Sequence, residues 1–376
     1  MEPIISAVET AERKVALLDP IDHRNRIEHF MFDIIDPAVR LIDPEEARVK
    51  YALVPLMPDN GPTALTGKPL MLSPHAMRQL CERLHMPIKF VRRLENMKAH
   101  KLLGINLNML MQHGKTGMAM FRTINSQNGE TARTVRAVLG SQYQPLDDLD
   151  LLTVAAPYLE GAEIAFSSFD DMGTHITAIW PEEVNATGLM RGVHIANSEV
   201  GLRAISIEAV AYRPKCANIL PALGLGGMGD GEQAMGGGRP IYRSRNRAFT
   251  GDATYGWRLI HRGDTNRLEA FVADAIADVS RQYEGVVARW QQGLTEMIDD
   301  PIGALSEIAD AKQLTVDQYK ASLTAWAETR PDFGDCRTGL VNAFTLAAQN
   351  EENADDRYAM QVAGTYALSS FAISSN

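Results

Sequence analysis

The sequence predicts an α+β fold in which antiparallel β-hairpins pack with helices, followed by an all-helical C-terminal region. Two observations support this fold class. Over residues 117–212 the apolar residues alternate with period two and are interrupted by short turns rich in Asn, Asp and Gly, which is typical of hairpins. After residue 266 they recur at three- and four-residue spacing, which is typical of amphipathic helices. Successive hairpins argue against a doubly wound parallel sheet.

The chain divides on this basis into three segments. We expect residues 1–70, which are rich in Pro and Asp, to form an irregular N-terminal segment with one or two strands. Residues 71–262 form the α+β core, and residues 263–376 form an acidic helical region. Within the core we expect a mobile Gly-rich loop at 221–251, because chain with so few side chains buries too little apolar surface to offset its ordering entropy.

Two helices precede the first hairpin. Ser73 followed by Pro74 is a typical helix start, and the apolar residues after it recur at helical spacing. A second helix follows Pro87. Its polar side carries three cations and two more follow beyond it, and the ordinary interpretation of such a run is a solvated helix face. The five cations are Lys89, Arg92, Arg93, Lys98 and Lys101.

Three hairpins and one helix make up the rest of the core. Asn128-Gly129 is a strong hairpin turn signal between two alternating runs. Asp147-Asp148 is placed to cap a helix and to complement the positive end of its dipole. The expected strand pairs are 117–125 with 131–139, 162–168 with 174–180, and 193–196 with 202–212.

The C-terminal region is predicted to be helical throughout. A long amphipathic helix is expected over residues 268–279, where apolar side chains mark one face. Thr315 is expected to cap the next helix. Two further helices are expected at 341–348 and 358–368.

The net charge of the chain is -10, from 37 Lys and Arg against 47 Asp and Glu. Taken alone, this charge argues against a protein that coats polyanions broadly. The charge is unevenly distributed, however: residues 263–376 hold 18 acidic and 8 basic residues, whereas residues 203–262 hold 9 basic and 4 acidic residues. A basic region therefore lies in the middle of an acidic protein.

Most signatures of enzymes and metalloproteins are missing. The cysteines, Cys81, Cys216 and Cys336, are too scattered for a disulfide framework or a metal site. The nine histidines form no HExxH pair, and the glycines that match GxGxxG are followed by more glycines instead of a helix. We therefore expect no metal and no cofactor, and no motif in the sequence supports an enzymatic activity. The absence of a secretory signal and of a long apolar run predicts a cytoplasmic protein with no membrane partner.

The basic region combines arginines with aromatic residues. Single-stranded nucleic acid is held by this combination, because guanidinium groups neutralise phosphates while aromatic rings stack on bases. The alternative is that these arginines pair with the acidic C-terminal region of the same chain. The candidate nucleic-acid-binding residues are Arg203, Arg213, Lys215, Arg239, Tyr242, Arg243, Arg245, Arg247, Trp257, Arg258 and His261.

Several short segments resemble a protein family found on phages and plasmids and catalogued as domain of unknown function 932. The resemblance spans roughly residues 70–350 and implies residence on mobile elements near recombination and anti-restriction genes, without an established activity. The order of hairpins and helices also looks like the core of ring-forming single-strand annealing proteins. The matching segments are 136–147, 197–201, 212–213, 216–218, 260–263 and 341–345.

Two functions are favoured at this point, and a third, enzymatic function stays open although no motif supports it. The first is a non-enzymatic, oligomeric protein of a phage or plasmid that binds or anneals single-stranded DNA in the bacterial cytoplasm. The second is a protein-binding or self-assembling module of a mobile element, for example an inhibitor of host defence. In that case the acidic helical region would be the working surface.

Overall fold

The structure of the chain is a computed structural model. It describes residues 2–15, 23–26, 30–35, 50–55, 69–113, 118–125, 133–170, 172–222, 257–259, 261 and 268–369.

The described residues contain helices in both halves of the chain. The helices are α1 (Ile4–Val15), α2 (Pro74–Arg83), α3 (Ile88–Asn96), α4 (His100–His113), α5 (Asp148–Ala155), α6 (Leu268–Gly293), α7 (Pro301–Ala311), α8 (Val316–Phe333), α9 (Arg337–Ala348) and α10 (Ala354–Tyr366). A short 3-10 helix, Ala156–Leu159, follows α5.

The strands are shorter and lie mostly between α4 and α6. They are β1 (Glu2–Pro3), β2 (His23–Arg26), β3 (Phe30–Ile35), β4 (Lys50–Pro55), β5 (Leu70–Leu72), β6 (Met118–Asn125), β7 (Arg133–Gly140), β8 (Glu163–Phe169), β9 (Thr174–Val184), β10 (Met190–Asn197), β11 (Ile205–Arg213), β12 (Asn218–Pro221) and β13 (Trp257–Leu259).

The chain folds as two compact units. Unit one comprises residues 1–11, 146–198 and 202–376, and unit two comprises residues 12–145 and 199–201. These boundaries cut across the predicted ones at residues 70 and 262, because strands from distant parts of the sequence pair within each sheet. Composition along the chain carries no signal for such long-range pairing.

Unit one is built on an antiparallel sheet in the order β1-β8-β9-β10-β11-β12, with β13 paired to β11. The second and third predicted hairpins are β8–β9 and β10–β11, and both are confirmed. Helix α6 packs on β11, while α9 and α10 pack against β12. The core includes Val193 and Ile207 of the sheet and Val272 of α6, all fully buried.

Unit two has a second sheet, in the order β2-β6-β7-β5-β4-β3. The first predicted hairpin, β6–β7, is confirmed, and the β5–β7 pair is parallel. Helix α2 packs on β7 and α4 on β3. The expectation that residues 1–70 are irregular is wrong for the described part of that segment, which contributes α1, four strands and the first residue of β5. These strands are stabilised by partners far away in sequence, such as Leu70 beside Arg133, so local pattern underestimates them.

Local signals located several helix ends correctly. The Ser73 side chain accepts a hydrogen bond from the Ala76 N–H, and Thr315 forms a capping box with Gln318. Helix α4 was not anticipated, since apolar residues occur on all its sides and give little periodicity. The predicted mobile loop at 221–251 lies almost wholly outside the described residues. The α+β class and the helical C-terminal region are confirmed.

Gly192 of β10 provides a direct test of the packing in unit one. A Cβ at this position would lie 2.7 Å from the Ala178 carbonyl oxygen and 2.9 Å from Cγ2 atoms of Ile179 and Val210. We expect Gly192→Ala to lower the free energy of unfolding by about 1–3 kcal/mol because the sheet is overpacked.

Gly285 is the matched control, since it lies at an exposed position inside α6 with nothing within 4 Å of an added Cβ. Gly285→Ala should raise the free energy of unfolding by about 0.8–1 kcal/mol, because Ala restricts the unfolded chain and favours the helix. Urea unfolding followed by tryptophan fluorescence reports unit one, which holds all 4 tryptophans. Shifts of the same sign for the two variants would contradict the assigned packing.

Candidate functional site

A chain of buried polar side chains runs across unit one from β9 and β10 to α10. His175 and His194 are 3% and 2% exposed, respectively, and lie on neighbouring strands. His175 Nδ1 is 3.2 Å from His194 Nε2, and His175 Nε2 is 2.9 Å from an Asp355 carboxylate oxygen. Thr177 Oγ1 is 2.9 Å from His194 Nδ1. The Tyr358 ring stacks on His194 with centroids 4.4 Å apart.

One set of tautomers satisfies every bond in this chain. The Thr177 hydroxyl donates to His194 Nδ1, His194 Nε2–H donates to His175 Nδ1, and His175 Nε2–H donates to Asp355. Both imidazoles are then neutral. We define Thr177, His194, His175 and Asp355 as the histidine chain.

The electrostatics of the histidine chain agree with neutral imidazoles. Burial lowers the pKa of His175 and places the pKa of His194 well below its usual value, and nearby Arg203 adds to both effects. Burial alone would raise the pKa of Asp355, but the hydrogen bond from His175 and the charge of Arg203 outweigh it and lower that pKa to about 2. Of the four residues of the histidine chain, Asp355 alone reaches solvent, and its side chain is half exposed.

A second polar cluster lies at the end of the β9–β10 pair. The Asn197 amide donates to the Leu146 carbonyl (3.0 Å) and to a carboxylate oxygen of Asp148 (2.8 Å). The other Asp148 oxygen accepts from the Thr174 hydroxyl at 2.6 Å, and His261 Nε2 lies 3.0 Å from the side-chain Oδ1 of Asn197. Asp148 is the first residue of α5 and also holds the Asn197 side chain in place. Its role is therefore structural.

Unit two contains a buried ion pair of its own. Arg136 of β7 and Glu199 are each 2% exposed, with Nη1 and Oε2 3.0 Å apart. The Tyr143 hydroxyl donates to the Glu199 carbonyl at 3.1 Å, and the Val200 carbonyl accepts from the Gln79 amide at 2.9 Å. A buried pair of this kind is costly to break, because the remaining charge is left without a partner.

Unit two also carries an exposed basic surface. Residues 74–113, which span α2, α3 and α4, contain seven Arg and Lys residues against two Glu residues. Phe90, between the cations of α3, is 41% exposed. We define the basic helical surface as the exposed residues Lys89, Arg92, Arg93, Lys98 and Lys101.

Arg203 and Arg213, both predicted to bind nucleic acid, have internal partners. Arg203 forms an ion pair with Asp355 and contacts His175. The Arg213 guanidinium lies over the rings of Phe333 (4.8 Å) and Trp290 (5.6 Å). The Arg203 contact is of the kind expected from the alternative in which arginines of the basic region pair with the acidic C-terminal region, whereas Arg213 contacts aromatic rings of that region.

Trp257 and His261 are also engaged within unit one. The Trp257 indole N–H donates to Asp278 at 3.1 Å, and its ring meets the edge of Phe271. His261 is 4% exposed, so its ring has little access to solvent. By contrast, Lys215 is exposed and Arg258 is half-buried. The remaining five candidates lie outside the described residues: Arg239, Tyr242, Arg243, Arg245 and Arg247.

Sequence reasoning missed the histidine chain, because its members come from two strands and a helix far along the chain. The period-two pattern of β9 places His175 and Thr177 on one face, which is the signal available in advance.

Among the described residues no three His, Cys, Asp or Glu side chains are arranged to hold a metal ion. In the same part of the chain no helix has the length and apolar character needed to cross a bilayer.

Comparison with known proteins returned no match to any family model, to any curated protein or to any solved structure. The resemblance to domain of unknown function 932 therefore stays a prediction.

The histidine chain predicts that unit one loses stability in mild acid. In the unfolded chain both imidazoles take up protons near pH 6.5, whereas in the folded state they stay neutral to lower pH. The unfolded state then binds more protons, so the free energy of unfolding falls as the pH drops below about 6.5. The loss is up to about 1.4 kcal/mol per pH unit for each imidazole, until the folded pKa is reached.

Urea unfolding at about pH 7.5 and about pH 5.5, followed by tryptophan fluorescence, measures this loss. His194→Gln removes one titrating group and should reduce the loss. An equal loss in wild type and His194→Gln would show that His194 is not held neutral.

Proposed function

We propose that the protein binds single-stranded nucleic acid as a non-enzymatic, oligomeric, annealing-type protein of the cytoplasm. The observation that carries this proposal is the basic helical surface, where five exposed cations lie on and beside two consecutive helices. The further assignment to a phage or plasmid rests on the sequence resemblance alone.

The chemistry of this surface matches a polyanion. Two glutamates, Glu82 and Glu95, oppose seven cations in residues 74–113, so the local charge is opposite in sign to that of the whole protein. Each phosphate that a cation neutralises releases a counterion, which makes such binding favourable at low salt and strongly salt-dependent. The exposed Phe90 ring could stack on an unpaired base, a contact worth roughly 1–3 kcal/mol.

The middle of the chain offers a second basic segment. Arg239, Arg243, Arg245 and Arg247 remain candidates for phosphate contacts, with Tyr242 as a stacking residue. Arg203 and Arg213 are weaker candidates for phosphate contacts than the sequence alone suggests, because their guanidinium groups already have partners in unit one. The basic helical surface and the mid-chain segment 239–247 therefore have to be tested separately.

The test is fluorescence anisotropy of a labelled oligonucleotide between about 50 and about 200 mM salt. We expect binding that weakens steeply with salt. In Arg92→Ala/Arg93→Ala, two lost phosphate contacts should lower the slope of log K against log salt by about 1.4, at about 0.7 per phosphate for a single strand.

Two further variants locate the binding surface. Arg243→Ala/Arg245→Ala/Arg247→Ala measures the contribution of the mid-chain segment, and Lys320→Ala is the matched control, since Lys320 is an exposed cation of α8. Binding that is absent at micromolar protein in low salt would refute the proposal. Binding that is equally strong in the Arg92→Ala/Arg93→Ala variant would exclude the basic helical surface.

The second candidate function, a protein-binding or self-assembling module, is favoured by a different observation. Large apolar side chains are exposed on both units, among them Ile105 of α4 (57%) and Met297 after α6 (69%). Exposed apolar groups that cluster on one face commonly mark contacts with other proteins.

A further inference from the structure

Helix α4 has an apolar stripe on its solvent side. Leu102, Ile105 and Met109 are 49%, 57% and 56% exposed, respectively, and their spacing of three and four residues places them on one face. The other side of the helix packs into the core of unit two through residues that include Leu103 and Leu107, both fully buried. A helix that is apolar on both sides is typical of one that is covered on both sides.

The stripe begins beside positive charge. Lys101 precedes Leu102 directly, and Lys98 lies just before the start of α4; both are exposed. Asp and Glu are absent from residues 96–113, so the whole helix and its approach carry only positive or neutral side chains. A partner for this face must therefore offer apolar contact and negative charge together.

Unit one has a surface segment with these properties between α6 and α7. Leu294, Met297 and Ile302 are 47%, 69% and 51% exposed, respectively. Asp299 and Asp300 lie between them in sequence and are also exposed. We define residues 294–302 as the acidic apolar segment.

We propose that the α4 stripe of one copy docks on the acidic apolar segment of a second copy. Burial of Leu102, Ile105 and Met109 against the apolar residues of that segment supplies the hydrophobic contribution. Lys98 and Lys101 come to lie near Asp299 and Asp300 and select the partner by charge. The complementarity of the two surfaces in apolar character and in charge identifies the occupant as a second copy of this chain.

The contact is head-to-tail, because the two surfaces are different parts of the chain. Each copy in a dimer therefore retains one unused surface, and further copies add until a ring closes or a filament grows. This assembly needs no nucleic acid. Lys98 and Lys101 belong both to this contact and to the basic helical surface, so the two proposals are separated by variants that touch only one of them. Arg92→Ala/Arg93→Ala tests nucleic-acid binding, and Leu294→Ser/Met297→Ser tests assembly.

The experiment is sedimentation velocity of the full chain over a range of concentrations, without nucleic acid. Wild type should form species larger than a dimer. Ile105→Ser/Met109→Ser and Leu294→Ser/Met297→Ser should each weaken association at least about tenfold, as expected when central apolar contacts are truncated. Val316→Ser is the matched control, because Val316 is 67% exposed at the start of α8, outside both surfaces, and it should associate like wild type.

Mixing the two double variants distinguishes a head-to-tail contact from other arrangements. One intact stripe and one intact segment remain in the mixture, so a heterodimer should form and grow no further. Lys98→Gln/Lys101→Gln should weaken association without removing the apolar contact, and the effect of salt should shrink in this variant.

Three results would overturn the proposal. A wild-type chain that stays monomeric would show that the surfaces meet other partners or each other within one copy. Undiminished association of Leu294→Ser/Met297→Ser would indicate a stripe-to-stripe contact. A mixture that yields no heterodimer would exclude a direct pairing of the two surfaces. Circular dichroism of each variant confirms that the exposed substitutions leave the fold intact.

Discussion

The need to pair buried polar groups in the segment 197–201 constrains the fold around it. The Asn197 side chain binds the start of α5, Glu199 pairs with Arg136, and Gly201 has a φ of 78° with Leu139 beside it. A polar group that is buried without a partner costs about 1–3 kcal/mol, and a charge costs more. The segment 197–201 is therefore stable only when the strands and helices that supply its hydrogen-bond and ion-pair partners are folded around it. The division of the chain follows these contacts, since Asn197 and Ser198 belong to unit one and residues 199–201 to unit two.

This segment is also one of those on which the family resemblance rests. In the structure its polar residues have internal partners, and so has Asn342, which lies in another such segment and accepts from Asn218 at 2.7 Å. In these two segments the residues that carry the resemblance therefore have structural partners within the fold. For this reason the functional proposal rests on the charge of exposed helices and on the chemistry of nucleic-acid binding.

The candidate site was only partly predictable from sequence. The sequence shows the cations of α3 and of the segment after it as a polar run, which is typical of a solvated helix face. The structure adds that Phe90, Ile105 and Met109 are also exposed, and these apolar side chains favour a binding surface over a merely solvated face. Conversely, Arg203 and Arg213 look like members of a basic region in sequence, whereas in three dimensions they contact Asp355 and the rings of Trp290 and Phe333. Charge counted along a chain does not report which charges are already neutralised.

The sequence by itself determined the α+β class, the three hairpins, the capped starts of α2 and α8 and the helical C-terminal region, because periodicity, turn residues and N-caps act within a few residues. Only the tertiary structure decided how β5 pairs with β7, how residues 1–55 join two different sheets, and how Thr177, His194, His175 and Asp355 form one hydrogen-bonded chain. Several of these features depend on contacts between residues far apart in the sequence, such as Leu70 with Arg133 and His175 with Asp355. Such contacts form only when burial makes them favourable, and a local pattern does not encode them.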